Sequence, residues 1–124
     1  MEPALGLVDT GSENVLAASW LADLAGIDLG RNVDRAVLGI GGQNIEVTFA
    51  EIELRLHRPE DASEWISWRS DIGFVTAWQA PFAIVLGQTG FLDQFTVTFH
   101  RGAAMLAVEA WEAFDSRFRT GAAT

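Results

Sequence analysis

The clearest pattern in the sequence is an alternation of apolar and polar residues along Gln43–His57. Alternation with a period of two is typical of a β-strand that buries one face. The apolar residues occupy odd positions up to Phe49 and even positions from Ile52, so the phase changes near Ala50. Such a change turns the apolar side of a strand to its other face, and we therefore expect a bulge or sharp bend near residue 50.

Shorter runs predict further strands around this long one. Residues 33–40 have the composition of a strand, and Gly41 and Gly42 would form the tip of a hairpin that joins it to the long run. The fully apolar run 82–86 indicates a buried strand, although its five residues do not exclude a helix by periodicity alone. Residues 95–108 alternate again and predict a second hairpin.

Helical spacing is limited to short segments. Apolar residues recur at helical intervals in part of 13–26 and in 110–118, and 89–94 has room for one or two helical turns. Residues 58–70 are polar and are predicted to form a surface loop. The sequence therefore predicts a single mainly-β domain over residues 1–124, with two or three short helices.

Composition excludes several classes of function. The net charge is −9 and all eight basic residues are Arg, without a basic cluster, which argues against nucleic-acid binding and against an anionic membrane surface. The chain has no Cys, so it has no disulfide or thiolate chemistry, and His57 and His100 fit surface positions better than a metal site. No apolar run approaches the roughly 20 residues of a membrane span, and the first residues lack a signal-peptide pattern. These features predict a cytoplasmic protein that needs no metal and no other cofactor.

The candidate functional segment is 5–12, where an apolar run leads into Asp9-Thr-Gly-Ser12. A carboxylate that directly follows a buried strand lies partly out of water, which suits acid–base chemistry. Gly11 allows a close approach of backbone, and the hydroxyls of Thr10 and Ser12 can hold a carboxylate. Taken alone, the same residues are more typical of a helix N-cap or a turn.

Three ordered motifs give this segment a likeness to a known family. They are the acid turn at 8–12, the glycine-rich 38–42, and the run 83–87 followed by 90–95. Their order and spacing resemble those of the retropepsin-like aspartic proteases, in particular the single-domain bacterial type. The likeness covers most of residues 5–109.

The resemblance implies a fold, an assembly and a mechanism. The fold would be a closed β-barrel, and one aspartate per chain would require a homodimer in which Asp9 and its symmetry mate share one proton. This pair would activate water to hydrolyse peptide bonds of a peptide or protein substrate. The supporting residues would be those of the acid turn, with Thr10 bonded across the dimer, Gly11 allowing close approach and Ser12 steadying the carboxylate. A flap-like hairpin at about 33–57 would close over the substrate through Gly39, Ile40, Gly41 and Gly42.

Two other interpretations remain open. Members of the family carry one or two strands before the acid turn, whereas eight residues precede Asp9 here, and a missing edge strand exposes unpaired backbone. The chain would then be an inactive retropepsin-like module for dimerisation or peptide binding. In the last interpretation the chain is an unrelated β-rich domain in which Asp9 merely caps a turn, and Asp9 would not lie beside the strand 82–86.

Overall fold

A computed structural model describes residues 4–31, 34–40 and 42–122 of the chain. Over these residues the protein consists mainly of β-strands, with two α-helices and a short 3-10 turn at Leu29–Arg31. In chain order the elements are β1 Gly6–Val8, β2 Leu16–Ala18, α1 Ser19–Leu24, β3 Arg35–Ile40, β4 Gln43–His57, β5 Trp65–Val75, β6 Ile84–Leu86, β7 Phe95–His100, β8 Met105–Ala110 and α2 Trp111–Ala122.

Six strands form one sheet in the order β1-β6-β2-β5-β4-β3, and β7 and β8 form a separate hairpin. Within the sheet, β1 runs parallel to β6, β2 runs antiparallel to β6, and β2 runs parallel to β5. The sheet curls into half a barrel. The prediction of a mainly-β chain with few helices is confirmed.

The bulge expected near residue 50 is absent. β4 pairs with β5 in one uninterrupted register from Val47 opposite Val75 to His57 opposite Trp65. The strand instead buries opposite faces at its two ends. Val47 packs with Leu16 and Val75 in one apolar cluster, and the even-numbered residues from Ala50 onwards pack in the other. The phase change in the sequence therefore records two cores on two sides of one regular strand.

The prediction of a surface loop over 58–70 is wrong in its second half. β5 begins at Trp65, so the loop covers only 58–64. The residues of β5 alternate between exposed odd positions and more buried even ones, which end in the buried Ser70 and Ile72. The alternation was overlooked because the residues of β5 that face solvent are largely polar, and a segment rich in polar residues resembles a loop.

The helices lie close to their predicted positions. α2 confirms the predicted helix at 110–118 and extends beyond it. In the segment 13–26 the helix α1 is short, because β2 occupies the residues before it. Residues 91–94 form consecutive turns rather than a regular helix.

The main core joins the sheet to the second hairpin. Phe91 is fully buried and contacts Trp68 and Phe95, whose rings lie 5.6 and 5.7 Å from its own. The indole nitrogen of Trp68 donates a hydrogen bond to the carbonyl of Gly90 at 2.7 Å, so the polar atom of this half-buried side chain is satisfied. β5 and the start of β7 are thereby fixed to each other.

We expect Asp71→Asn to stabilise the protein at neutral pH. Burial raises the pKa of Asp71, and the nearby carboxylates of Asp34 and Glu51 raise it further. A carboxyl group with a raised folded-state pKa destabilises the fold once it ionises, so the penalty is absent in acid and appears as the pH rises through that pKa. Thermal melts at about pH 7 and about pH 3 test this, because the variant should melt higher than the wild type only at the former.

Asp61→Asn is the control of opposite sign. Two hydrogen bonds from Ser63 lower the pKa of Asp61, so its ionised form stabilises the fold above its ordinary pKa. This variant should melt lower than the wild type at neutral pH, and the difference should shrink in acid. Equal pH profiles for the two variants would contradict both assignments.

Candidate active site at the acid turn

Asp9 lies at the end of β1, directly beside β6. Val8 is paired with Leu86, and the backbone N–H of Asp9 donates to the Leu86 carbonyl at 3.1 Å. The side chain is half-buried. The aspartate thus lies next to the apolar strand within 82–86, whereas the interpretation as an unrelated capped turn predicted that it would not.

The acid turn folds back on its own carboxylate. Gly11 donates its backbone N–H to the Asp9 Oδ1 atom at 2.9 Å, and Ser12 donates its N–H to the Asp9 carbonyl at 3.2 Å. No other residue in the described part of the chain is seen to bond to this carboxylate. One oxygen is therefore oriented by the backbone, and the other accepts no hydrogen bond from the described residues, so its acceptor capacity is left for water or a second acid.

The two hydroxyls of the turn have different environments. Ser12 was expected to steady the Asp9 carboxylate. Its Oγ atom instead donates to the carbonyl of Asn14 at 2.8 Å, so Ser12 fixes the exit of the turn. Thr10 is exposed, and its hydroxyl has no protein partner among residues 4–31, 34–40 and 42–122. A bond from Thr10 to a second chain stays a prediction.

Residues 87–89 form the second wall of the turn. Gln88 donates its side-chain Nε2 to the Thr10 carbonyl at 2.7 Å and its backbone N–H to the Ser12 carbonyl at 2.8 Å, and Thr89 bonds to Glu13. At Gly87, an added Cβ would lie 2.3 Å from the Asn14 carbonyl oxygen. These residues hold the acid turn in place. The Gln88 contact could not be predicted from the sequence, since nothing in its spacing marks an amide that bonds 78 positions away.

The hairpin predicted at about 33–57 is present as β3 and β4. β3 and β4 pair up to Ile40 opposite Gln43, and Gly42 has φ +79°, a conformation that glycine adopts readily. Gly41 lies outside the described residues. Gly39 has nothing within 4 Å of an added Cβ. The hairpin forms the sheet edge opposite to β1, and no hydrogen bond between residues of the described ranges joins its tip to Asp9.

We expect Gln88→Ala to loosen the acid turn. The loss of one hydrogen bond should lower the free energy of unfolding by no more than about 1.5 kcal/mol, because the side chain is exposed. Amide exchange at Gly11 and Ser12 should become faster than at the β4–β5 pairs. Gln94→Ala is the matched control, since Gln94 is also exposed and its side chain makes no hydrogen bond within the described residues. Equal exchange in the two variants would show that Gln88 does not hold the turn.

The remaining chemical features of the described residues are few. They include no cluster of three or more His, Cys, Asp or Glu side chains able to hold a metal ion. His57 and His100 are both exposed, and each contacts a backbone group of its own loop. None of the helices in the described ranges is both long and apolar enough to cross a membrane.

No family model matches the chain, and neither the curated proteins nor the solved structures yield a match.

Proposed function

We propose that the protein is an aspartic endopeptidase of the retropepsin-like kind, which acts in the cytoplasm as a homodimer. The observation that carries the proposal is the position of Asp9, held between the end of β1 and the Leu86 carbonyl of β6. In this proposal the half-barrel sheet and the β7–β8 hairpin together correspond to the closed barrel of the family.

The geometry of the acid turn supports this chemistry. The Gly11 N–H orients one oxygen of the Asp9 carboxylate, and the exposed Thr10 projects from the same turn. Gly87 lets β6 pass against the turn at a distance that a side chain would prevent. A turn fixed on two sides can present its carboxylate to a second copy with little conformational cost.

The proposed mechanism uses two copies of Asp9 near a two-fold axis. Two carboxylates in contact cannot both ionise easily, so the pair holds one proton, as in aspartic proteases generally. The ionised member accepts a proton from a bound water molecule, whose oxygen attacks the peptide carbonyl. The protonated member donates to the developing oxyanion, and the proton then passes to the leaving nitrogen. No cofactor takes part.

In this mechanism the β3–β4 hairpin covers the substrate. Its exposed tip, which includes Gly39 and Gly42, is suited to close approach along an extended peptide. Closure would exclude water from the carboxylates. Ile40 is half-buried against the apolar cluster of Leu16, Val47 and Val75. This contact would anchor the hairpin while its tip moves.

The second candidate is a retropepsin-like dimerisation or peptide-binding module without turnover. It is favoured by the unpaired backbone along the outer half of β5, described below, which offers peptide binding away from Asp9. The two candidates differ in whether bound peptide is cut.

Cleavage of casein or of a mixed peptide library at mildly acid pH tests the proposal. The wild-type chain should cut, and a pepstatin-type inhibitor should suppress the cleavage. Size measured in solution at the assay concentration completes the test, because a chain that is strictly monomeric cannot form the pair. A dimer that binds peptide and leaves it intact would favour the second candidate.

A further inference from the structure

The outer half of β5 has an open edge. β2 pairs with β5 only at Gly73–Val75, and no strand among the described residues pairs with 65–72 on that side. Gly73 donates its N–H to Val15, away from β4. Because successive residues of a strand turn their backbone groups to alternate sides, the same side receives the N–H and C=O groups of the odd-numbered residues. We call Trp65, Ser67, Arg69 and Asp71 the open edge.

An apolar groove lies beside this edge. The β4–β5 ribbon and the β7–β8 hairpin pack together near Trp68 and Phe95 but diverge towards their tips. The space between them has a volume of about 1340 Å³. Its apolar walls include Leu56, Ile66, Phe99, Leu106 and Val108, and this set is called the apolar groove. A strand added at the open edge would direct every second side chain to the face of β5 that carries Ile66, and hence into the groove.

The charged residues that line the groove are two arginines, Arg58 and Arg101, and two glutamates, Glu60 and Glu64. Arg58 is paired with Glu64 at 2.9 Å and with Glu60 at 3.7 Å. Arg101 forms no ion pair within the described part of the chain. Of the two arginines, Arg101 is therefore the one left to pair with an acidic residue of whatever fills the groove.

We infer that the open edge of β5 binds an extended peptide segment of another protein by strand addition. The occupant has apolar residues at alternate positions, which fill the apolar groove, and an acidic residue at the end that meets Arg101. Backbone hydrogen bonds to the open edge supply affinity, and the groove and Arg101 select the sequence.

The edge of β4 on the other side of the ribbon is less suited to this role. β3 pairs with β4 only up to Thr48, so no strand of the described residues lies beside the outer half of β4 either. The residues whose backbone groups point away from β5 here are Glu51, Glu53, Arg55 and His57. Their side chains are charged or imidazole groups, which are typical of protected edges. The open edge of β5 has Trp65 and Ser67 at the corresponding end.

The probe is a fluorescent synthetic peptide in which Val and Thr alternate and Glu is the terminal residue. It has about seven residues, because this length covers the open edge. Binding is measured by anisotropy on the Asp9→Asn chain, so that cleavage cannot intervene. Ser67→Pro removes an N–H of the open edge without removing a β4 bond, because edge positions tolerate proline. It should weaken binding by about tenfold or more. Arg55→Pro is the matched control directly opposite Ser67, and it should bind like its parent.

Two further arms do not depend on the proline variants. A probe N-methylated at alternate residues, in the phase that points its N–H groups at β5, should lose binding, and a probe methylated in the other phase should retain it. Arg101→Glu should weaken binding of the acidic probe and strengthen that of a probe ending in Lys. Melting curves identify any variant that fails to fold, and the methylated probes then decide.

Several outcomes would overturn the inference. They are undiminished binding by Ser67→Pro, loss of binding by Arg55→Pro alone, or equal binding of the two methylated probes. Self-association that Ser67→Pro abolishes, without any probe binding, would assign the edge to a second copy of the chain instead. Because Asp9 takes no part, failure here leaves the proposed protease activity untouched, and loss of that activity leaves this inference untouched.

Discussion

Asp9→Asn is expected to lower peptide cleavage by about 10²–10⁴-fold, the usual contribution of a positioned acid–base group. An asparagine cannot accept a proton from water in the ionised role or donate one in the protonated role. Its Oδ1 atom can still accept the Gly11 N–H, so the turn should survive. The expected change in unfolding free energy is within about 0.5 kcal/mol. Turnover of a peptide from the library and thermal melts measure the two quantities.

Asp28→Asn is the matched control for this substitution. Asp28 accepts the N–H of Gly30 at 3.0 Å, in the same local geometry that Asp9 has with Gly11. Its turn follows α1 in the chain. The control should retain full activity. If both variants lost activity equally, the effect would be one of turn structure, and if neither did, Asp9 would not be catalytic.

Gly87→Ala is expected to produce the largest loss of stability. The new Cβ would lie 2.3 Å from the Asn14 carbonyl oxygen and 2.5 Å from that of Ser12, and both are backbone atoms that cannot rotate away. Backbone shifts of this kind cost about 1–3 kcal/mol. Chemical denaturation should show this loss, and cleavage should fall as well, because the displaced atoms belong to the exit of the acid turn.

Gly39→Ala is the comparison for Gly87→Ala. Nothing lies within 4 Å of a Cβ built at Gly39, and its φ is not in the left-handed region, so its stability should change by less than about 0.5 kcal/mol. Equal stability of the two variants would mean that β6 does not press against the acid turn as described.

Strand patterns could be predicted from the sequence, whereas contacts between distant segments could not. The alternation in Gln43–His57 identified β4 because one residue in two faces a core. It also suggested a bulge, since a single sequence does not show that two cores lie on opposite faces. β5 was missed from Trp65 to Ser70 because its solvent face is polar and its groove-facing residues are only partly buried.

The candidate site was predictable in its centre and not in its surroundings. Asp9 follows an apolar run that ends beside another apolar run, whereas the interpretation as an unrelated capped turn predicted no such contact. The bond from Ser12 to Asn14 and the contact of Gln88 with Thr10 depend on backbone geometry that no residue type dictates. The position of the flap tip relative to Asp9 likewise depends on how the whole sheet curls.

The central claim is that one active site needs Asp9 from two chains. Mixing wild-type and Asp9→Asn chains at equal concentration, with time for subunits to exchange, tests it most directly. If the pair spans two chains, only about one quarter of the dimers carry both aspartates, so activity per wild-type chain should fall to about half. Activity per wild-type chain that is unchanged by the added Asp9→Asn protein, under conditions where exchange is shown, would contradict the account.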